Sequence, residues 1–207
     1  KMLLTALICL SATKVDPLIT EVQHRAVDFF WNESNPKNGF TKDRASNNAK
    51  SPDSFEVASC ASVGFALTAY PIGVEHHWLD RKKALERTQT TLSHLLTDWE
   101  HERGWLYHFT NWNTGARQWK CEASSIDTGI CLAGVLFAEQ YWHDPLVSKY
   151  AKAFEKRIDW DWMLTDGGKK PKEVHFSMGW HPESGFISNR WWDYNESKLL
   201  YIEAYGL

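Results

Sequence analysis

Three long stretches without helical patterning, residues 33–53, 100–123 and 163–194, hold most of the acids with chemical potential. In or just after them lie Asp43, Asp53, Glu102, Glu122, Asp127, Asp166, Glu173, Glu183 and Asp193. Six of the 12 tryptophans share these stretches: Trp105, Trp112, Trp119, Trp180, Trp191 and Trp192. A carboxylic acid can protonate a leaving oxygen, and a second carboxylate can activate water or attack an anomeric carbon. An indole offers a flat apolar face to the C–H side of a pyranose. Carboxylates beside aromatics are therefore the equipment for cleaving a glycosidic bond. A tryptophan-rich core would account for the same composition.

The segment Trp119-Lys120-Cys121-Glu122-Ala123-Ser124-Ser125-Ile126-Asp127-Thr128-Gly129 is the most suggestive. It puts Glu122 just ahead of an apolar helix and Asp127 in its first turn, where the helix end favours ionised carboxylates. Capping and dipole pairing would use the same residues. Glu183 sits in Gly179-Trp180-His181-Pro182-Glu183-Ser184-Gly185-Phe186. If buried there, apolar neighbours would raise its pKa, as a proton donor requires; the alternative is an exposed turn acid. Asp159-Trp160-Asp161 has the form of a metal-binding DxD but no βαβ context, so it reads as helix acids. His76-His77 has no partner at metal spacing, and HExxH, GxSxG, Walker and GxGxxG patterns are absent. Lys42-Asp43-Arg44 suits either sugar hydroxyls or a loop ion pair.

Six helices are expected to position these residues: about 17–32, 54–70, 81–99, 124–142, 146–162 and from near 195 onward. Asp16 and Asp80 suit N-caps, and Pro17 suits a first helical position. The second and fourth helices are apolar all round, and the first, third and fifth are amphipathic. A repeated pair of one half-exposed and one buried helix points to concentric rings with the buried helices inside, the alternative being an irregular helical bundle. In such pairs the three long loops fall on one face, as functional loops do. Hairpins are expected around Asn113-Thr114-Gly115 and around the turn 182–185.

Composition narrows the partners. The chain has 207 residues and a net charge of −3, with 43% hydrophobic and 24% charged residues. That excludes a disordered chain, and without a basic stripe nucleic acid is not expected as a partner. The four cysteines show no zinc or disulfide spacing; Cys60 and Cys131 read as buried hydrophobes. Residues 1–16 look like a remnant of a secretory signal, too short to span a bilayer, which predicts a periplasmic or secreted protein; the alternative is a short apolar segment packed on the domain.

Several motifs together carry a family resemblance: Gly64-Phe65-Ala66-Leu67-Thr68-Ala69-Tyr70-Pro71-Ile72-Gly73-Val74, Arg87-Thr88, Tyr107-His108-Phe109, Trp119-Lys120-Cys121-Glu122 with Ser125-Ile126-Asp127-Thr128, Leu132-Ala133-Gly134-Val135-Leu136, Asp159-Trp160-Asp161-Trp162, and Met178-Gly179-Trp180-His181-Pro182-Glu183-Ser184-Gly185-Phe186. Over about residues 17–207 the chain resembles the bacterial glycoamylase-like family, which includes endo-β-1,2-glucanases and a domain of cyclic β-1,2-glucan synthases. The resemblance implies an all-α (α/α)6 barrel with its substrate cleft on one face. It implies hydrolysis or transglycosylation of β-glucan without a cofactor or a metal, inverting in the glucanases and retaining in the synthase domains. By motif, Glu122 and Glu183 would be the acid/base pair and Asp127 a base or orienter. Trp119, Trp180, Trp191, Tyr107 and Arg44 would line sugar subsites. Members are about twice this length, so the 207 residues correspond to about half a barrel. A second chain or a C-terminal half would have to complete it, and the alternative function is a non-catalytic carbohydrate-binding or half-barrel module.

Overall fold

The computed structural model describes residues 16–47 and 54–206. The stretch read as a signal remnant lies outside the described residues, apart from Asp16, and so does Asp53. Seven helices and seven short strands follow in order: α1 Pro17–Asn32, β1 Val57–Ser59, α2 Cys60–Glu75, α3 Arg81–Thr97, β2 His101–Glu102, β3 Trp105–Leu106, β4 Phe109–Asn111, β5 Ala123–Ser124, α4 Ser125–Trp142, α5 Pro145–Lys156, α6 Trp160–Leu164, β6 Gly179–His181, β7 Gly185–Phe186 and α7 Lys198–Gly206.

Helix α1 begins as expected: Asp16 accepts a hydrogen bond from the Leu18 amide, with Pro17 in the first turn. Asp80 caps α3 through the Lys83 amide, and Ser124 caps α4 through that of Asp127. The apolar helices α2 and α4 pack on each other, α1 and α3 lie against α2, α5 packs on α3 and α4, and α7 lies against α4. The alternation of charged and apolar helices thus corresponds to two layers, α1, α3 and α5 outside and α2, α4 and α7 inside. Cys60, Val63, Leu67, Cys131, Leu132 and Val135 of the inner layer are inaccessible to solvent. Yet this layer also exposes Phe65, Phe137 and Ile202, at 54%, 43% and 68%.

The α2–α4 crossing needs two glycines. A Cβ on Gly64 would sit 2.4 Å from the Ile130 carbonyl oxygen, and one on Gly134 2.1 Å from that of Gly64. Gly134→Ala is therefore expected to force the helices apart and cost about 1–3 kcal/mol, the usual range for overpacking. Urea denaturation followed by circular dichroism measures it; an unchanged midpoint would contradict the close crossing.

Three sequence expectations need correction. Residues 54–59 are not the first turn of α2; Val57–Ser59 pairs antiparallel with Phe109–Asn111 instead. Nor does Pro71 end α2, which continues to Glu75 with Pro71 buried inside it. Proline removes one donor from the ladder, and packing against three helices outweighs that loss. The expected fifth helix is two, α5 and α6. The β2–β3 turn, with Gly104 at φ +89, presses on the break so closely that a Cβ there would lie 2.3 Å from the Arg157 carbonyl oxygen. The Asp159 amide donates to Arg103, and the Asp159 side chain starts α6.

Both expected hairpins form, around 113–115 and around 182–184, and a third accompanies them. β2 pairs with β3 across Arg103-Gly104, and Thr110 bridges to Arg117. β6 pairs with β7 around 182–184, and β6 pairs with β5 as well. Further bridges join Lys42 to Ala58 and Tyr107 to Ala123. The three long loops are thereby sewn into one cap over the starts of α2 and α4, because β1 leads directly into α2 and β5 into α4.

Candidate active site

The pairing of β5 with β6 sets Ala123 opposite Trp180 and Ser124 opposite Gly179. It brings together the two segments singled out in the sequence. Glu122 immediately precedes β5, half-buried, and Asp127 lies in the first turn of α4. Between their carboxylates stands His108. Its Nδ1 is 3.1 Å from Glu122 Oε1 and its Nε2 is 3.4 Å from Asp127 Oδ1. The backbone fixes the imidazole: the His108 amide donates to the Glu122 carbonyl at 3.0 Å, and its carbonyl accepts from the Cys60 amide at 3.2 Å. His108 is thus pinned between the starts of α2 and α4. Asp127 also accepts a hydrogen bond from the Ser124 hydroxyl at 2.5 Å.

The charges follow from this geometry. Burial alone would push the His108 pKa down. The hydrogen bond to Glu122 and the charges of Asp127, Glu122 and Asp43 outweigh it and hold the pKa above the usual imidazole value. Burial alone would likewise raise Glu122, but the His108 hydrogen bond and charge bring it below the ordinary carboxylate range. The arrangement is an imidazole held between two carboxyl groups, which favour its protonated form. One ligand atom from each of His108, Glu122 and Asp127 lies within 4.8 Å of the others, so this set has the dimensions to hold a divalent ion. Any such ion would compete with the proton that the two carboxylates favour on the imidazole.

Glu183 differs from its expected state. It stands on the exposed turn between β6 and β7, half of its side chain open to solvent. Arg117 grips both its oxygens, at 2.8 and 3.0 Å. That hydrogen bonding, with the guanidinium charge, lowers its pKa to about 2. The anticipated rise fails because the apolar neighbours do not enclose the carboxyl, and because a cation from another loop reaches it. Glu183 is therefore an ionised acceptor at neutral pH, without the proton that a general acid must donate.

The expected sugar-contacting residues gather around this centre unequally. Trp119 is 58% exposed and stands beside Phe109 and Phe55, with ring centroids at 5.1 and 6.3 Å. Arg44 lies over Phe55 at 5.9 Å and pairs with Asp43 at 2.5 Å, so it extends the same aromatic strip. Trp180 packs against Trp162, centroids 5.5 Å apart. Trp191 donates to the Ser125 hydroxyl at 2.9 Å, which places it at the start of α4. Tyr107 is buried beneath the Arg117 guanidinium, 4.7 Å from its ring, and serves as support for that side chain.

His108 and Arg117 are the residues that sequence reasoning did not single out. Their importance comes from pairings across 14 and 66 positions, to Glu122 and Glu183. The one visible signal was the position of His108 between two aromatics, ahead of a hairpin.

No protein-family model and no curated protein matches the sequence. Solved structures do match. An endo-β-1,2-glucanase from Chitinophaga pinensis, in complex with sophorotriose and glucose, superposes with a TM-score of 0.77 at 20% identity, over 93% of this chain and 47% of that one. This chain carries about half of that glucanase fold. A glucoamylase candidate from Bacteroides fragilis matches with a TM-score of 0.75 at 24% identity, over 94% of this chain and 48% of its own. A β-1,2-glucanase from Parabacteroides distasonis matches with a TM-score of 0.76 at 19% identity, over 90% of this chain and 27% of its own. The chain thus spans less than half the length of each of these structures. No helix among the described residues is long and apolar enough to cross a membrane.

Proposed function

We propose that the chain carries one wall of the active site of a glycoside hydrolase that cleaves β-glucan, with β-1,2-glucan as the first substrate to test. The observation that carries this reading is the convergence of Glu122 and Asp127 on His108, beneath an aromatic strip and at the start of a buried helix. Glu122 is held ionised, which suits a carboxylate that activates water or attacks the anomeric carbon. His108 fixes its charge and direction, and Asp127 holds His108 from the other side. Trp119 and Trp180 supply the stacking faces, with Trp191 beside them and Arg44 as a hydroxyl donor.

The proton donor is sought among the other acids of the last long loop, Asp193 and Glu196, because Glu183 and Asp43 are already paired to Arg117 and Arg44. The oxygens of Glu122 and Asp127 lie within 4.8 Å. Separations of about 5–5.5 Å belong to retaining pairs and about 6.5–9.5 Å to inverting ones. Asp127, so near Glu122 and joined to it through His108, is assigned the orienting role and not that of the second catalytic carboxylate. The exposed Phe65, Phe137 and Ile202 of the inner layer favour a further helical segment or a second chain that completes the ring.

The test is incubation of the purified chain with linear β-1,2-glucan, laminarin and starch, with anomer formation followed by NMR. Release from β-1,2-glucan, unchanged by EDTA, is the expected result. Binding without release, alone or with the completing segment, would replace this reading with a carbohydrate-binding module.

A further inference from the structure

The Arg117 guanidinium is spent on main-chain and loop contacts. Its Nε donates to the Cys121 carbonyl at 2.6 Å and its Nη2 to the Lys120 carbonyl at 2.7 Å. Nη1 and Nη2 hold the two oxygens of Glu183, and Nη2 lies 3.4 Å from His181 Nδ1. The group is nearly closed to solvent, with 13% of the side chain exposed, and its open face lies on Tyr107.

The carbonyls it grips belong to an unusual stretch. Trp119 and Lys120 are consecutive non-glycine residues in the left-handed region, at φ +53 and +51. Such a pair persists only where its surroundings impose it. Glu122 follows directly. The same cation thus shapes the turn that projects Trp119, sets the approach to Glu122, and ties both to the β6–β7 turn.

Resting on the hydrolase reading, we propose that Arg117 and Glu183 form a clamp between the two loops that positions Trp119 and Glu122. Glu183 acts through Arg117 and does not exchange a proton with substrate. Only a planar fork serves two carbonyls and a carboxylate at once, and a lysine ammonium offers no such geometry.

The test separates this role from acid catalysis. Glu183→Gln keeps an oxygen for Arg117 but cannot donate an acidic proton, and turnover is expected within about tenfold of the wild type. Glu183→Ala and Arg117→Ala each lose about a hundredfold, the scale of a small misplacement of a catalytic group. The double variant loses no more than the worse single one, since both remove one clamp. Arg117→Lys falls near Arg117→Ala and covers the case in which the alanine variant does not fold.

Hydrogen exchange of the amides of residues 118–122 supplies a readout independent of activity, and it is expected to accelerate in Arg117→Ala, Arg117→Lys and Glu183→Ala. A loss of about a thousandfold or more in Glu183→Gln, with exchange unchanged, would overturn the clamp and restore Glu183 as the acid. If the wild type releases no sugar, the hydrolase reading fails by itself. The clamp is then judged on exchange alone, and unchanged exchange in the Arg117 variants would overturn it.

Discussion

Replacing Glu122 by Gln is expected to leave the fold intact, reduce sugar release by about 10³-fold, within the range for general acid–base groups, and lower the pKa of His108. The glutamine oxygen can still accept the Nδ1 hydrogen bond now 3.1 Å long, so shape and packing survive. What disappears is one of the negative charges that favour the imidazolium, while Asp127 and Asp43 remain. An NMR titration of His108 reads this change whether or not the chain turns over.

The sign with pH is defined by the two shifts. Glu122 sits below its unfolded pKa, so its contribution is present at neutral pH and disappears as pH falls through the lowered value. His108 sits above its unfolded pKa. Its contribution is complete below about 6.5, the unperturbed value, and is lost as pH rises through the raised one. The charge pair is thus intact between these limits. The rate is expected to plateau there, and the acidic limb to vanish in the residual activity of Glu122→Gln. Full activity in that variant would remove Glu122 from the chemistry.

The second large effect concerns stability. Glu203 on α7 is buried, 4% exposed, and neither carboxyl oxygen has a hydrogen-bond partner. It faces α4 at Gly129, where an added Cβ would come within 3.1 Å of Glu203 Oε2. Burial pushes its pKa up to about 8. Below about pH 4.5 the carboxyl is protonated in both folded and unfolded chains, and there is no penalty. As pH rises from there to about 8, the unfolded chain loses the proton that the folded one retains, and stability falls.

Glu203→Leu is therefore expected to stabilise the protein, by about 2–3 kcal/mol near pH 8 after relaxation around the site is allowed for. For a chain of this size that corresponds to about 4–12 °C in Tm. The gap between variant and wild type should open above about pH 4.5 and flatten beyond about pH 8. Thermal melts at several pH values measure it. A Tm difference that does not vary with pH would show that Glu203 finds a partner in solution. The cost of this buried, unpartnered acid falls on the docking of α7 against α4.

Much of the scaffold was legible from local patterning. α1 was read from its Asp-Pro start and its amphipathic face, α3 from its Asp80 cap and polar face, and α4 from its apolar content, because those signals lie within a few residues of one another. The inner and outer layers were legible too, since a helix apolar on every side must be covered on every side. The helix ends that failed all have a tertiary cause. The residues before Cys60 were drawn into a strand by Phe109–Asn111, Pro71 was overridden by packing, and the break after Lys156 was imposed by the Arg103-Gly104 turn.

The site divides in the same way. Its residue types, carboxylates and indoles on the long loops of a two-layer helical fold, were set by the sequence alone, because amphipathicity dictates which connections are long and where they fall. The charge each carboxylate bears was decided only in three dimensions. Glu122 is held below its ordinary range by the imidazole of His108, brought in from beside a neighbouring strand, and Glu183 is neutralised by a guanidinium from another loop. A pKa is set by the few ångströms around a group, and those neighbours come from positions that the linear order does not relate.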